Sequence, residues 1–264
     1  MELIKKLRSL TGAGMVDCQK ALKEAANDLE KAVGILRKNG IAKAAKRSDR
    51  EANEGVVKVA INDANNEGYI LELNSETDFV SRNEKFQNFA DQILEVAKSL
   101  KPASLEDFLN SPFDGGTVSE ALKTLSGTIG EKLDIKNFEI LTGPTVAAYS
   151  HLGGKIGVLI AIDKDGKTEL ATDVAMHVAA ANPKYLNSDE VSAEEMDREK
   201  DIYKEQLLKE GKPEAMIEKI IIGKMGKYYS DVCLNEQEYI KDDKKKVKEI
   251  LGDAKIIKFI RYSL

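Results

Sequence analysis

With 264 residues, 42% hydrophobic and 32% charged, the chain is long enough for two or three compact units with a sizeable core and much solvated helix. Its 40 basic and 45 acidic side chains leave a formal charge of -5, which argues against a direct nucleic-acid binder, whose footprint is a basic excess. Two cysteines, Cys18 and Cys233, are too few for a disulfide framework and match no metal spacing; with no signal-like or bilayer-spanning apolar run, they fit a reducing cytoplasm and no membrane partner, although a single Cys18–Cys233 bond stays open.

Residues 1–40 read as three short helices. Leu3, Ile4, Leu7 and Leu10 share one face of the first, and Thr11-Gly-Ala-Gly14 breaks it because glycine tolerates the backbone angles of a tight turn. The second holds Met15, Cys18, Ala21, Leu22 and Ala25. The third, capped by Asn27 or Asp28, carries Leu29, Ala32, Val33 and Leu36 and is expected to stop at Asn39-Gly40. On spacing alone, Met15 and Val16 are core and Arg8 is a solvated helix residue. Residues 41–54 are alanine-rich and mixed in charge, with no apolar stripe. They read as a linker or solvated helix, and the phosphate-binding reading of Lys43, Lys46, Arg47 and Arg50 is the weaker one.

Residues 55–143 form the next unit. Val57, Val59 and Ile61 alternate with their neighbours, a polar loop follows at residues 63–68, and residues 69–74 return as the partner strand of a hairpin. At Ser75-Glu-Thr77 the period changes. Phe86, Phe89, Ala90, Ile93, Leu94 and Ala97 recur at helical spacing behind a plausible cap at Asn83, so Asp78 and Phe79 sit at a strand-to-helix corner. From the residues alone, Phe79 staples the helix onto the sheet. Shorter helices over residues 103–127 lead through Ile129-Gly130 to an alternating run around Phe138 and Ile140.

The plan then repeats over residues 144–264. Residues 146–149 and 156–162 make a hairpin whose tip carries His151, and a helix with Leu170, Val174, Ala175 and Val178 follows, ended by Asn182-Pro183. The order of elements and the matched strings Gly68-Tyr-Ile-Leu and Gly157-Val-Leu-Ile suggest a duplicated unit. Inserted at about 190–230 is an antiparallel helical, coiled-coil-like hairpin. It opens on a capping box, Ser192-Ala-Glu-Glu195, and turns at Gly211-Lys-Pro213. A short helix at Val247–Leu251 precedes a closing strand, Ile256–Tyr262, expected to join the second sheet. The fold class is therefore α+β: three N-terminal helices, two duplicated antiparallel-sheet and helix subdomains, and a projecting hairpin.

Chemistry-bearing motifs are sparse. There is no glycine-rich phosphate loop and no recognisable Ser-His-Asp spacing, and of the two histidines His177 reads as packing. Three functional classes stay open on the residues. They are a binding factor, a scaffold working through its N-terminal helices and hairpin, and a small-molecule enzyme using Asp78 and His151 as acid and base.

Two strings add a resemblance. Leu7-Arg-Ser-Leu-Thr-Gly-Ala-Gly-Met-Val-Asp-Cys-Gln-Lys-Ala-Leu22 and Thr77-Asp-Phe-Val80 resemble the signatures of the elongation factor Ts family, and the likeness runs from residue 3 to about 262. It implies a ubiquitin-associated-like N-terminal module and a nucleotide exchange factor for the GTPase elongation factor Tu, with no cofactor, no metal and no bond chemistry of its own. It also implies that Thr77, Asp78, Phe79 and Val80 dislodge the magnesium of the GTPase, with Phe79 projecting. Arg8, Met15, Val16, Ile129, Gly130 and His151 would be partner-binding, which leaves the core and docking readings of Met15 and Val16 level. A second copy, in a homodimer of the complex, is the competing occupant of the hairpin's apolar stripe. Two departures stand out: Gln19 replaces the family's usual lysine, and the chain stops at Phe259-Ile-Arg-Tyr-Ser-Leu264, before the tail of longer members.

Overall fold

The computed structural model describes residues Met1–Leu264. Three helices open the chain, α1 (Glu2–Thr11), α2 (Met15–Glu24) and α3 (Leu29–Ala45), followed by β1 (Glu54–Ile61), β2 (Glu67–Ser75), the single turn α4 (Asp78–Ser81), α5 (Glu84–Leu100) and α6 (Leu105–Asn110). A minimal hairpin, β3 (Pro112–Phe113) and β4 (Gly116–Thr117), leads into α7 (Val118–Ile129) and β5 (Leu133–Thr142). Then come β6 (Thr145–His151), β7 (Ile156–Ile162), α8 (Thr168–Ala181), α9 (Ala193–Lys209), α10 (Glu214–Val232), β8 (Glu238–Tyr239), β9 (Asp242–Lys246), α11 (Val247–Ile250) and β10 (Ile256–Ser263). The architecture is mixed α+β, with N-terminal helices and small antiparallel sheets interleaved with helices.

The N-terminal helices close on Leu7, Cys18, Ala21, Leu22, Ala25 and Ala32. Asp28 caps α3, its side chain accepting from the Lys31 amide. Contrary to the expected stop at Asn39-Gly40, α3 runs on to Ala45. Gly40 is buried because α3 crosses α7 there: a Cβ on Gly127 would lie 2.4 Å from the Gly40 Cα and 2.7 Å from its carbonyl oxygen. Two glycines face to face let the helix backbones meet, so Gly40 serves close approach and does not end the helix. Arg37 adds an ion pair to Glu120 at 2.7 Å, and Arg47 donates to the Ser126 carbonyl at 3.3 Å. The stretch expected to be solvated is thus partly pinned.

Two three-stranded antiparallel sheets, ordered β1-β2-β5 and β10-β7-β6, form the body. The pairing of the closing strand with the second sheet is as expected, whereas the small β8–β9 hairpin has no counterpart in the sequence reading. Strand alternation divides the faces. Tyr69, Leu71 and Leu73 pack with Phe86, Ala90 and Ile93 of α5 and Leu122 of α7, while Val158, Ile160 and Ile162 pack with Val174, Ala175 and Val178 of α8. The opposite faces meet each other through Val57, Ile70, Leu141, Val146, Leu159, Ala161 and Ile260. Glycines set that approach reciprocally: Gly68 lies against Leu159 and Val146 of the second sheet, and Gly157 against Val57 and Val59 of the first. Glu139 ties the layers at the rim, accepting from Lys258 and from the Tyr262 hydroxyl at 2.7 Å each.

The helical hairpin joins the body around Val191, Met225, Tyr228, Val232 and Cys233. Half of the expected capping box forms, with Ser192 Oγ accepting from the Glu195 amide at 3.2 Å. The Glu195 carboxylate does not return the bond to the cap; it accepts the hydroxyls of Tyr185 and Tyr228, which fastens the hairpin root. Pro213 stands immediately before the first residue of α10. Both cysteines are free and buried, in separate cores, and burial pushes the Cys233 thiol up to about 11. No helix is long and apolar enough to cross a membrane.

His177 is packing, as expected, and lies fully inside the fold. Its Nδ1 accepts from the Ile240 amide at 3.3 Å, so the proton sits on Nε2, 2.9 Å from Gln237 Oε1. Burial lowers its pKa, with the Gln237 bond opposing that shift. The unfolded chain therefore takes up this proton first. Stability is fully present above about pH 6.5 and falls as the pH drops below it, by at most about 1.4 kcal/mol per pH unit. Urea midpoints between pH 7.5 and 5.5 check this. A decline is expected in the wild type and none in His177→Phe; a flat wild-type profile refutes it.

Candidate partner-binding site

The corner between β2 and α5 is built by its own polar side chains. Thr77 is extended and stands immediately before α4, with no side-chain bond into the turn. Ser75 Oγ donates to the Thr77 carbonyl and Ser81 Oγ to that of Asp78, both at 3.0 Å, and Gln87 Nε2 reaches the Ser81 carbonyl at 2.5 Å. Asn83 then starts α5 by accepting from the Lys85 amide at 2.9 Å. Asp78 pairs with Arg82 one turn on, at 3.1 Å.

Within this single turn, two adjacent apolar residues part company. Val80 packs on the core under α5, and Phe79 is 84% exposed. The stapling role that residue pattern alone gives Phe79 therefore falls to Val80. A phenyl ring so exposed at a rigid corner is an apolar group available to a partner.

Residues far away in sequence hold the corner. Glu131 Oε2 accepts from the Thr77 amide at 3.0 Å and Oε1 from the Thr77 hydroxyl at 2.7 Å, while Ser126 Oγ donates to the Glu131 carbonyl at 2.5 Å. The neighbouring Glu76 accepts from the Lys132 amide at 2.6 Å and from Arg50 at 3.0 Å. The Lys132 bond is the chief cause lowering its carboxyl pKa; burial opposes it, and Arg50 adds to the lowering. Close by in β2, the buried Glu72 and Asn74 are hydrogen-bonded to each other, and Glu72 also accepts from the exposed Asn137, next to a register shift between β2 and β5. Such an irregularity re-aims the strand end that feeds the corner.

The other expected site residues fall into three places. Ile129 closes α7, Gly130 follows in the left-handed conformation at φ 95°, and Glu131 comes next, so this pair abuts the corner. Met15 and Val16 are 55% and 62% exposed in the first turn of α2, and Arg8 is exposed on α1. The core reading of Met15 and Val16 is thereby corrected: the buried stripe is Cys18, Ala21 and Leu22, and these two lie ahead of it. His151 is exposed at the end of β6, its Nδ1 3.1 Å from the Tyr149 hydroxyl and its ring stacked on that of Tyr149. No hydrogen bond joins Asp78 to His151. Gln19 is exposed. Sequence reasoning missed Glu76 and Glu131, since no spacing rule links residues 54 positions apart.

Comparison with known proteins assigns the chain to a family. Residues 76–264 match the family model described as elongation factor TS. The chain is 46% identical over 264 residues to elongation factor Ts of Deinococcus deserti, covering 100% of this chain and 99% of the relative. It is 46% identical over 278 residues to that of Chlorobaculum tepidum, covering 99% and 96%, and 43% identical to that of Deinococcus radiodurans, covering 100% and 99%.

Proposed function

The chain belongs to the elongation factor Ts family, and from that membership we propose how its geometry works as the nucleotide exchange factor for elongation factor Tu in translation. It is not a catalytic enzyme. The observation that carries the reading is Phe79, exposed on a turn whose N-terminal flank is held by Glu131 at Thr77 and by Lys132 at Glu76.

A GTPase holds its nucleotide through backbone amides around the phosphates and through magnesium in strict octahedral geometry. Small displacements behind the metal break that geometry. In this reading Phe79 wedges into a cleft of the GTPase near the magnesium, and Asp78 captures the polar groups freed there. Thr77 and Val80 hold the corner in place. Ile129, Gly130 and His151 extend the same contact. Arg8, Met15 and Val16 dock the N-terminal helices α1–α3, which end at Ala45, on the GTPase as a ubiquitin-associated-like module. The body consists of subdomains 55–143 and 144–264, reached from α3 through a short connection before β1. The reciprocal glycines Gly68 and Gly157 support a duplicated origin. The coiled-coil hairpin, with Ile202, Leu208, Met216 and Ile222 exposed, gives a second hold on the same partner, with a second copy of the chain as the competing occupant. The setting is cytoplasmic, without nucleic acid or membrane as a direct partner.

Linkage limits what the factor does. If it weakens GDP, GDP weakens it by the same factor. A thousandfold faster release needs only about 4 kcal/mol of differential stabilisation, spread over several contacts. Stopped-flow release of a fluorescent GDP from purified elongation factor Tu tests the reading: strong acceleration is expected, and none from folded protein overturns it. In the same assay, Met15→Glu with Val16→Glu is expected to raise the half-saturating concentration about tenfold or more while leaving the rate at saturation near wild type. An unchanged half-saturation removes these residues from the interface.

A further inference from the structure

We propose that Glu131 is a positioning residue for exchange, holding the Thr77–Val80 turn in the one orientation that presents Phe79; this rests on the reading of Phe79 as the wedge. The carboxylate grips Thr77 at both its amide and its hydroxyl, at 3.0 and 2.7 Å, so both oxygens are committed to one residue. Its own backbone is fixed to α7 through Ser126 at 2.5 Å. The next residue, Lys132, donates its amide to Glu76, immediately before Thr77. Two successive residues of the segment after α7 thus clamp two successive residues of the corner.

This arrangement answers a physical need. Phe79 is 84% exposed, so no packing of its own ring fixes its direction. Its aim depends on the backbone of a four-residue turn, too short to be stable alone. A wedge that swings loses its effect in the bound state more than in the first encounter, because orientation is needed only where the magnesium site is disturbed. Charge-assisted bonds to a backbone amide are suited to that duty, being short and directional.

The test is GDP release measured over a range of factor concentrations for wild type, Phe79→Ala, Glu131→Ala and Glu131→Gln, with amide hydrogen exchange of the free proteins. Loss of the grip in Glu131→Ala is expected to lower the rate at saturation about tenfold, with half-saturation within about threefold of wild type. Glu131→Gln, which keeps a carbonyl oxygen, should recover part of the rate. The Thr77 amide should exchange faster in Glu131→Ala, while Leu71 and Leu73 stay protected. If Glu131→Ala does not fold, Glu131→Gln carries the same two readouts. Folded variants with the wild-type rate at saturation, or with Thr77 exchange unchanged, overturn the proposal. Phe79→Ala separates the two levels. If it retains full activity, the wedge reading itself falls; if it is inactive while Glu131→Ala is not, only the role of Glu131 falls.

Discussion

Phe79→Ala is expected to fold normally and to lose about a hundredfold in GDP-release acceleration at saturation, the scale of a single aromatic anchor removed from a pocket, about 2–4 kcal/mol. The two halves of this expectation have separate causes. The ring is 84% exposed and absent from the core beneath α5, so its removal leaves no cavity, and an exposed substitution of this kind stays within about 0.5 kcal/mol of wild-type stability. The neighbour behaves oppositely. Val80 packs inward, so Val80→Ala should cost stability first and exchange second. Because the effect acts on the affinity of nucleotide for the complex, GDP and GTP release should slow by similar factors. Stopped-flow traces with both labelled nucleotides, together with thermal melts, decide it. A Phe79→Ala protein that still accelerates release would remove the wedge.

The second large effect concerns the crossing of α3 and α7. Alanine in place of a helical glycine normally gains about 1 kcal/mol, and Gly34→Ala in α3, with open space around it, should show that gain. Gly127→Ala has the same intrinsic benefit but sets a methyl 2.4 Å from the Gly40 Cα, where only backbone can yield. Overpacking against an unyielding neighbour exceeds the propensity gain, and a net loss of about 2 kcal/mol is expected. The N-terminal helices should part from α7, so limited proteolysis should release residues 1–45 sooner and the half-saturating factor concentration should rise. Gly34→Ala serves as the control for both. If Gly127→Ala melts at or above the wild-type temperature, the helices do not cross as closely as described.

These two cases show what was legible in the sequence. The period change at Ser75-Glu-Thr77 located the corner, because strand and helix spacings differ and both flanks are long. The same periodicity cannot orient one turn of four residues holding both Phe79 and Val80; the turn is held by Glu131 and Lys132, which reach it from beyond α7. Gly40 follows the same logic. An Asn-Gly pair after an apolar stripe reads as a helix stop, and only the opposing Gly127 turns it into a crossing. Glu195 read as a capping partner because Ser192 stands three residues earlier, yet two tyrosine hydroxyls outside that window hold its carboxylate. The sheets were legible strand by strand. The return of β5 to β2 rests on contacts that alternation does not encode.

The placement of β10 beside β7 has a consequence for how the molecule comes into being. β7 is the middle strand of its sheet, yet one neighbour is supplied only by Ile256–Ser263, after residues 163–255 have been made. At a synthesis rate of about 5–20 residues per second, that edge waits roughly 5 to 20 seconds on the ribosome. During this interval Leu159 and Ala161 lack their final cover from Ile260. The first sheet, complete once β5 emerges, offers them a folded surface in the meantime through Val57 and Ile70. In order of synthesis, the face that packs against Leu159 and Ala161 from the first sheet is thus made before the strand that completes their own sheet.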